Sequence, residues 1–375
     1  KIWVFLLGIA LSVWELETNH QISKYKLVAL IPVRDEIDYF PVCLRALNKL
    51  VHSIVVLDDC SRDGTGEYAK FLANQFRIER VERSPHCTHR TTPPFWGDEV
   101  LHRNFLLELG RSVGGSHFVI IDADEILAVG GCQNNDFASL REHMLRMTSG
   151  DIFVMKYITL WGSVNRMRMD KSDSKAVAFA DQEGTEYLRR SRDDRLHIPR
   201  LPIIKRPGRV WELSGGAALL HLGFVDLPRA RLKNLVYNLF DMVTGSRKSR
   251  AEMTQGLADQ GLTSSAKVSL GELPPPWLEL LTDCGTLKAA ADLSLRDGGW
   301  RAQQVLSWLS DGMGPGRFTG ITALEFASDI KFPSFDPEET VKFVSMTEKQ
   351  GQSQNVLQGR TVRMLRRLAR DTSWQ

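Results

Sequence analysis

Residues 117–127 read HFVIIDADEIL, and this stretch constrains the fold more than any other. Phe118, Val119, Ile120 and Ile121 are apolar without alternation, the pattern of a strand buried on both faces. The run ends in Asp122, Asp124 and Glu125, with Ala123 between the first two. Side chains two apart on an extended chain point the same way, so Asp122 and Asp124 can face one ligand. Two carboxylates at one spot repel each other unless a cation lies between them. Oxygen ligands favour a hard ion such as Mg²⁺ or Mn²⁺, which could in turn hold the diphosphate of a nucleotide. The plainer alternative is a solvated turn or a helix cap. Open α/β sheets bind ligands at the carboxyl ends of their strands, which favours the ligand.

The segments before it repeat one theme. Residues 27–33 (LVALIPV) form a first buried strand, and Phe40, Leu44, Leu47 and Val51 then mark one helix face with Pro41 in the first turn. Residues 53–57 (SIVVL) form a second strand ending in Asp58 and Asp59. Asp63-Gly64 makes a turn, and Thr65 is placed to cap a helix carrying Tyr68, Phe71 and Leu72. A short third strand covers 78–81, and residues 83–97, with Pro85, Pro93 and Pro94, form a loop. Asp98 opens a helix through Leu101, Phe105, Leu106 and Leu109. Alternating strands and helices predict an α/β fold with a mostly parallel sheet flanked by helices. No GxGxxG follows the first strand and no GxxxxGK[ST] occurs, so dinucleotide-binding and P-loop folds are poor matches.

PVRDE after strand one, VVLDDCSRDGT after strand two, HRN on a helix and IDADE after the central strand together resemble the family-2 type of glycosyltransferase with a glycosyltransferase-A fold. Order and spacing match over about residues 26–127, and more weakly to about 233. PVRDE departs from the many members that have Asn where this chain has Asp35. The resemblance implies a nucleotide-diphospho-sugar transferase-like sheet, a nucleotide-sugar donor and a divalent metal, Mn²⁺ or Mg²⁺. Pro32, Arg34 and Glu36 would then lie along the nucleoside, and Asp59 would read base or ribose. Arg103 would approach base or diphosphate, Asp122 ribose or metal, and Asp124 the metal. Taken alone, Asp59 is equally a turn cap and Arg103 a surface ion pair.

Residues 151–159 (DIFVMKYIT) read as a further strand, with Ile152, Val154 and Tyr157 alternating. Residues 165–195 mix Lys, Arg, Asp and Glu throughout, a solvated loop or, in this fold, a mobile lid over the acceptor. His221 is a lone polar residue among Leu219, Leu220, Leu222 and Phe224. It is either a satisfied core residue or the downstream histidine that completes the metal site in related enzymes. An inverting transferase needs a base for the acceptor hydroxyl, for which Glu212 is the first candidate and Asp194 the second.

The chain divides into an apolar segment 1–25, a glycosyltransferase-A-like catalytic domain 26–235, and a mainly helical region 236–375, with GELPPPWLELL marking a boundary near Gly271 to Pro276. Residues 2–13 are apolar but too short to span a bilayer, which needs about 20 residues. They suit the end of a truncated anchor or a buried first helix. Residues 360–372 place Val362, Met364, Leu365 and Leu368 opposite five arginines, a packed terminal helix or one lying on anionic membrane. The net charge of +3 gives no case for nucleic acid. Five scattered cysteines without CxxC spacing predict a reducing compartment and no disulfide framework, consistent with a cytoplasmic protein or one associated with the cytoplasmic face of a membrane. The expected activity is metal-dependent transfer of a sugar from a nucleotide-sugar to a hydroxyl on a glycan, lipid or protein. The alternatives are a nucleotidyltransferase on a similar sheet and an inactive nucleotide-sugar-binding module.

Overall fold

A computed structural model describes residues 24–61, 63–86, 99–130, 136–171, 173–189, 200–213, 216–227, 229–230, 233–234, 256, 260–262 and 267–283. The expectations for the apolar segment before residue 24, for Asp98, for Asp194 and for the terminal helix lie outside these residues, as does most of the helical region 236–375. The chain divides into two compact units. One comprises Lys1–Thr159, Lys171–Leu222 and Glu272–Leu287, the other Leu160–Asp170, Gly223–Gly271 and Lys288–Gln375. No described helix is long and apolar enough to cross a membrane.

The first unit is built on strands β1 (Leu27–Val33), β2 (Ser53–Asp58), β3 (Ile78–Arg83), β4 (His117–Ile120), β5 (Glu125–Val129), β6 (Ile152–Thr159), β8 (Asp173–Ala180), β9 (Val210–Glu212) and β10 (Ala217–His221). They form one sheet in the order β3-β2-β1-β4-β8-β6-β10-β5, with β9 beside β6. The pairings β1–β2, β2–β3, β1–β4, β6–β9 and β6–β10 are parallel. The pairings β4–β8, β6–β8 and β5–β10 are antiparallel. The fold is therefore α/β with a mostly parallel sheet, as the alternating pattern predicts. Helices α1 (Phe40–Leu50), α2 (Thr65–Leu72), α3 (Glu99–Ser112), α4 (Phe137–Leu145) and α5 (Pro275–Asp283) accompany it.

Burial on both faces explains the continuous apolar strands. Leu27, Ala29, Ile31 and Val33 of β1 join one core with Phe40, Leu44 and Leu47 of α1 and Leu140 and Met144 of α4. Val28 and Leu30 point the other way, into a second core with Leu106 and Leu107 of α3. Period-two alternation is thus present, but between two apolar environments. Helix α3 approaches closely because Gly110 faces the sheet: a Cβ there would stand 2.6 Å from Leu30 Cδ2 and 2.7 Å from Phe118 Cε1.

Several expectations change. The charged run 165–195 is not simply a loop or lid, since it contains β8, which lies between β4 and β6 in the sheet. Asp173 and Ser174 are exposed, whereas Val177, Ala178, Phe179 and Ala180 are buried. Charge is confined to the end of the strand that projects beyond its β4 pairing, which runs only from Ala178 to Ala180. The apolar stretch 117–127 is two strands, since the chain leaves the β1 ladder after Ile120 and restarts as β5 beside β10. Thr65 is the first residue of α2 rather than its cap, and Phe71 is 80% exposed, stacked on Tyr68. In β6 the fully buried apolar residues are Phe153, Met155 and Ile158, not Ile152, Val154 and Tyr157. The expected absence of disulfides fails at Cys60, which is disulfide-bonded, while the Cys43 thiol is buried.

The prolines at 274–276 fall where the chain passes from one unit to the other, between Gly271 and Glu272, and they open α5, whose Trp277, Leu280 and Leu281 are buried. In the second unit β7 (Arg166–Arg168) and β11 (Leu270–Glu272) form a two-stranded sheet. There the Trp161 ring stacks on Phe224 and Arg168 lies over it, 5.0 Å from the centroid.

Candidate active site

Strands β1, β2, β3, β4, β6 and β10 all run one way, so their carboxyl ends share an edge of the sheet. Two adjoining loops build the first part of the site. After β1 the chain turns at Asp35, which is buried with φ +52°, a left-handed conformation that Asp and Asn adopt more readily than other non-glycine residues. That tolerance accounts physically for Asp standing where many members of the resembled family have Asn. The turn is stitched to the loop after β2: Asp35 N donates to Ser61 Oγ, Glu36 N to Thr65 Oγ1, and Ile37 N to Asp63 Oδ2. Glu36 is itself buried, and Pro32 lies beyond the last β1–β4 pair, Leu30↔Ile120.

Asp58 and Asp59 divide their work. Asp58 Oδ1 accepts from Ser61 N at 2.9 Å, so the turn-capping carboxylate is Asp58. Asp59 instead accepts from Arg34 Nη1 at 2.8 Å. Its other oxygen lies 3.5 Å from His102 Nδ1.

The HRN motif sits on α3, where successive side chains diverge by about 100°. Its three residues consequently reach three parts of the site. His102 faces Asp59. Arg103, 12% exposed, bonds Glu99 one turn earlier at 2.9 Å and lies 3.7 Å from Asp122. It is a partly buried connector rather than a surface ion pair. Asn104 brackets the backbone of Tyr187, donating to its carbonyl at 2.8 Å and accepting from its N–H at 2.7 Å. The Tyr187 ring lies 6.0 Å from the Arg103 guanidinium, and its hydroxyl donates to Arg200 O at 3.0 Å. Burial pushes the Tyr187 phenol up to about 12 against the pull of Arg103 and Arg200.

Arg200 is a residue of this candidate site that sequence patterns missed. It donates to Ile120 O at 3.1 Å, to Asp122 Oδ2 at 3.1 Å and to both oxygens of Glu125. Asp122 N also donates to Glu125 Oε2 at 2.9 Å. Burial raises the Glu125 carboxyl above its ordinary value; Arg200 pulls it down and Asp122 adds to the rise. Burial alone would lower the Arg200 guanidinium, but Glu125 and Asp122 outweigh it and hold the charge in place. Asp122, the first carboxylate of DADE, is thus paired with two arginines.

Asp124, the second, is buried, and its Oδ2 lies 3.5 Å from His221 Nε2. The contact follows from register: His221 ends β10 opposite Glu125, and Leu222 N donates to Asp124 O at 2.8 Å. His221 stacks on Tyr157 at 5.4 Å, and Lys175 Nζ lies 3.9 Å from the centroid of that ring. Burial, then Glu125 and Asp124, raise the Tyr157 phenol, so it stays protonated. No three His, Cys, Asp or Glu side chains among the described residues converge on one metal position. Asp124 and His221 nevertheless form a carboxylate–imidazole pair of the kind a divalent ion uses when substrate phosphates and water complete its shell. Glu212 is not brought to this edge. It is exposed and pairs with Val154, whereas His221 pairs with Thr159, five residues farther along β6, or about 17 Å at ~3.3 Å per residue.

No protein-family model and no curated protein matches the sequence. Among solved structures, S. aureus TarS 1–349 is similar over 92% of this chain and 90% of its own, at 12% identity and a TM-score of 0.34. The longer S. aureus TarS structure gives 12% identity and a TM-score of 0.33 over 91% of this chain and 55% of its own. TarS 1–349 in complex with UDP gives 11% identity and a TM-score of 0.29 over 92% of this chain and 90% of its own. Likeness at this level assigns the chain to no family.

Proposed function

We propose that this chain is a glycosyltransferase that moves a sugar from a nucleotide-sugar to an acceptor hydroxyl with the help of a divalent ion. The observation that carries this is the meeting of Asp124 with His221 on the same sheet edge as the Arg34–Asp59 pair. A nucleotide-sugar has three parts, and the edge offers each a partner. Arg34 and Asp59 supply polar groups to the nucleoside, with Pro32 and Glu36 in the adjoining turn. Arg103, already charged and held by Glu99, would approach the diphosphate. Asp124 and His221 would hold Mn²⁺ or Mg²⁺, which supplies Lewis-acid stabilisation of the charge that grows on the leaving diphosphate.

In the reaction the bond from the sugar's anomeric carbon to the diphosphate oxygen breaks, and one from that carbon to the acceptor oxygen forms. The acceptor proton needs a base if configuration inverts. Glu212 lies too far along the sheet for that role, which leaves Asp194 as the candidate. A glycan, lipid or protein acceptor and peripheral contact with a membrane belong to the same proposal. The nucleotidyltransferase alternative is weaker, because such enzymes usually place a glycine-rich loop with Lys or Arg after strand one. Here that place is taken by the PVRDE turn tied to Ser61, Asp63 and Thr65.

The test is a thermal-shift screen of nucleotide-sugars with and without Mn²⁺, followed by product detection with the one that stabilises most. One nucleotide should stabilise the protein, more so with Mn²⁺, and Asp124→Asn should remove the Mn²⁺ increment. Absence of stabilisation by any nucleotide-sugar would sink the proposal. Binding without turnover or donor hydrolysis would instead favour the inactive module.

A further inference from the structure

The HRN resemblance assigns a role to Arg103 and none to His102, yet His102 has the more telling surroundings. It is 5% exposed, its Nδ1 lies 3.5 Å from Asp59 Oδ1, and its ring stacks on His86 in the turn after β3, centroids 6.0 Å apart. A carboxylate accepts only, so the nitrogen facing Asp59 carries the proton. Arg34 takes the other oxygen of Asp59. The carboxylate is therefore held from two sides by donors on two elements, one after β1 and one on α3. Nε2, at the opposite side of the His102 ring, is buried with no hydrogen-bond partner among the described residues.

We infer that His102 is a positioning residue of the nucleoside pocket: it fixes the Asp59 carboxylate through Nδ1–H. The inference rests on the proposed nucleotide-sugar reading and deepens it. Asp59, an acceptor only, is then set for a base edge carrying N–H groups. Arg34 and the diphosphate contacts are indifferent to the base, so His102 acts on base recognition alone.

The experiment uses the full chain and measures binding of UDP, GDP, CDP, ADP and inorganic pyrophosphate by calorimetry, beside melting curves. An Asn amide nitrogen falls near the place of Nδ1, whereas a Gln amide falls near that of Nε2. His102→Leu should weaken the preferred nucleoside diphosphate by about tenfold or more, the scale of a lost charge-assisted hydrogen bond. Pyrophosphate, which has no base, should bind the variant as it binds wild type. His102→Asn should recover most of the loss by restoring the hold on Asp59, and His102→Gln should recover less. A purely structural histidine would not separate nucleotide from pyrophosphate, or Asn from Gln. Equal effects on nucleotide and pyrophosphate, or equal affinities of the Asn and Gln variants, would overturn the inference while leaving the proposed function standing. A wild-type protein that binds none of the four nucleotides would overturn both.

Discussion

Arg200→Ala tests the physical account of the DADE turn most directly. The Glu125 side chain is 2% exposed and that of Arg200 15%, so the pair has little water to fall back on. Removing one partner of such a pair leaves a buried charge, at a cost of roughly 3–5 kcal/mol. Glu125 can limit that cost by taking up a proton, because burial already raises its carboxyl and loss of Arg200 raises it further. A carboxyl raised on folding contributes stability that is full below its unfolded value and is lost as pH rises through the folded value. The variant's deficit relative to wild type should therefore grow with pH. Near about pH 8 the deficit should approach the full ~3–5 kcal/mol; near about pH 5 it should fall to about 1–2 kcal/mol, the residue of lost bonds to Ile120 O and Asp122. Urea titrations at both pH values, with Glu125→Gln and the double variant alongside, give the coupling directly. The double variant should be more stable than Arg200→Ala alone near pH 8. A deficit independent of pH, with no recovery in the double variant, would refute the buried-pair reasoning.

Two further outcomes follow from local geometry. Asp151 is buried and accepts bonds from Thr148 N, Thr148 Oγ1, Arg209 N and Trp211 Nε1, tying the start of β6 to β9. Burial would raise its carboxyl, but those donors outweigh it and hold it below the ordinary value, so its contribution is present above the unfolded carboxylate range and lost as pH falls through the folded value. Asp151→Ala should cost about 3 kcal/mol, and Asp151→Asn should flatten the acid slope of stability, read by tryptophan fluorescence in urea; an unchanged slope would count against the assignment. Asp59→Ala should raise the donor KM more than it lowers kcat, measured in steady state with saturating acceptor, and an unchanged KM would reduce Asp59 to a tie for Arg34.

What the sequence determined by itself is the part governed by local pattern. β1 and β2 are continuous apolar runs because helices cover both faces of the sheet, and α1 shows its buried face at Phe40, Leu44 and Leu47. The acidic strand ends were legible for the same reason, since charges next to a doubly buried strand have few places to go but its exposed end. His221 stood out as a polar residue among leucines, although only the β5–β10 register puts it beside Asp124. The tertiary structure decided what depends on distant chain. β8 gave no strand signal, because its buried half is short and its projecting half is charged; its place comes from backbone bonds to β4 and β6 on either side. Arg200 had no local signal at all, being one arginine among many, and its meaning comes from Glu125, 75 residues away. Glu212 and His221 looked equally near the site along the chain, yet β6 carries them to different levels of the sheet. Local pattern reports burial, which is a property of each residue. Which charges meet is a property of the register between strands, and no single segment carries it.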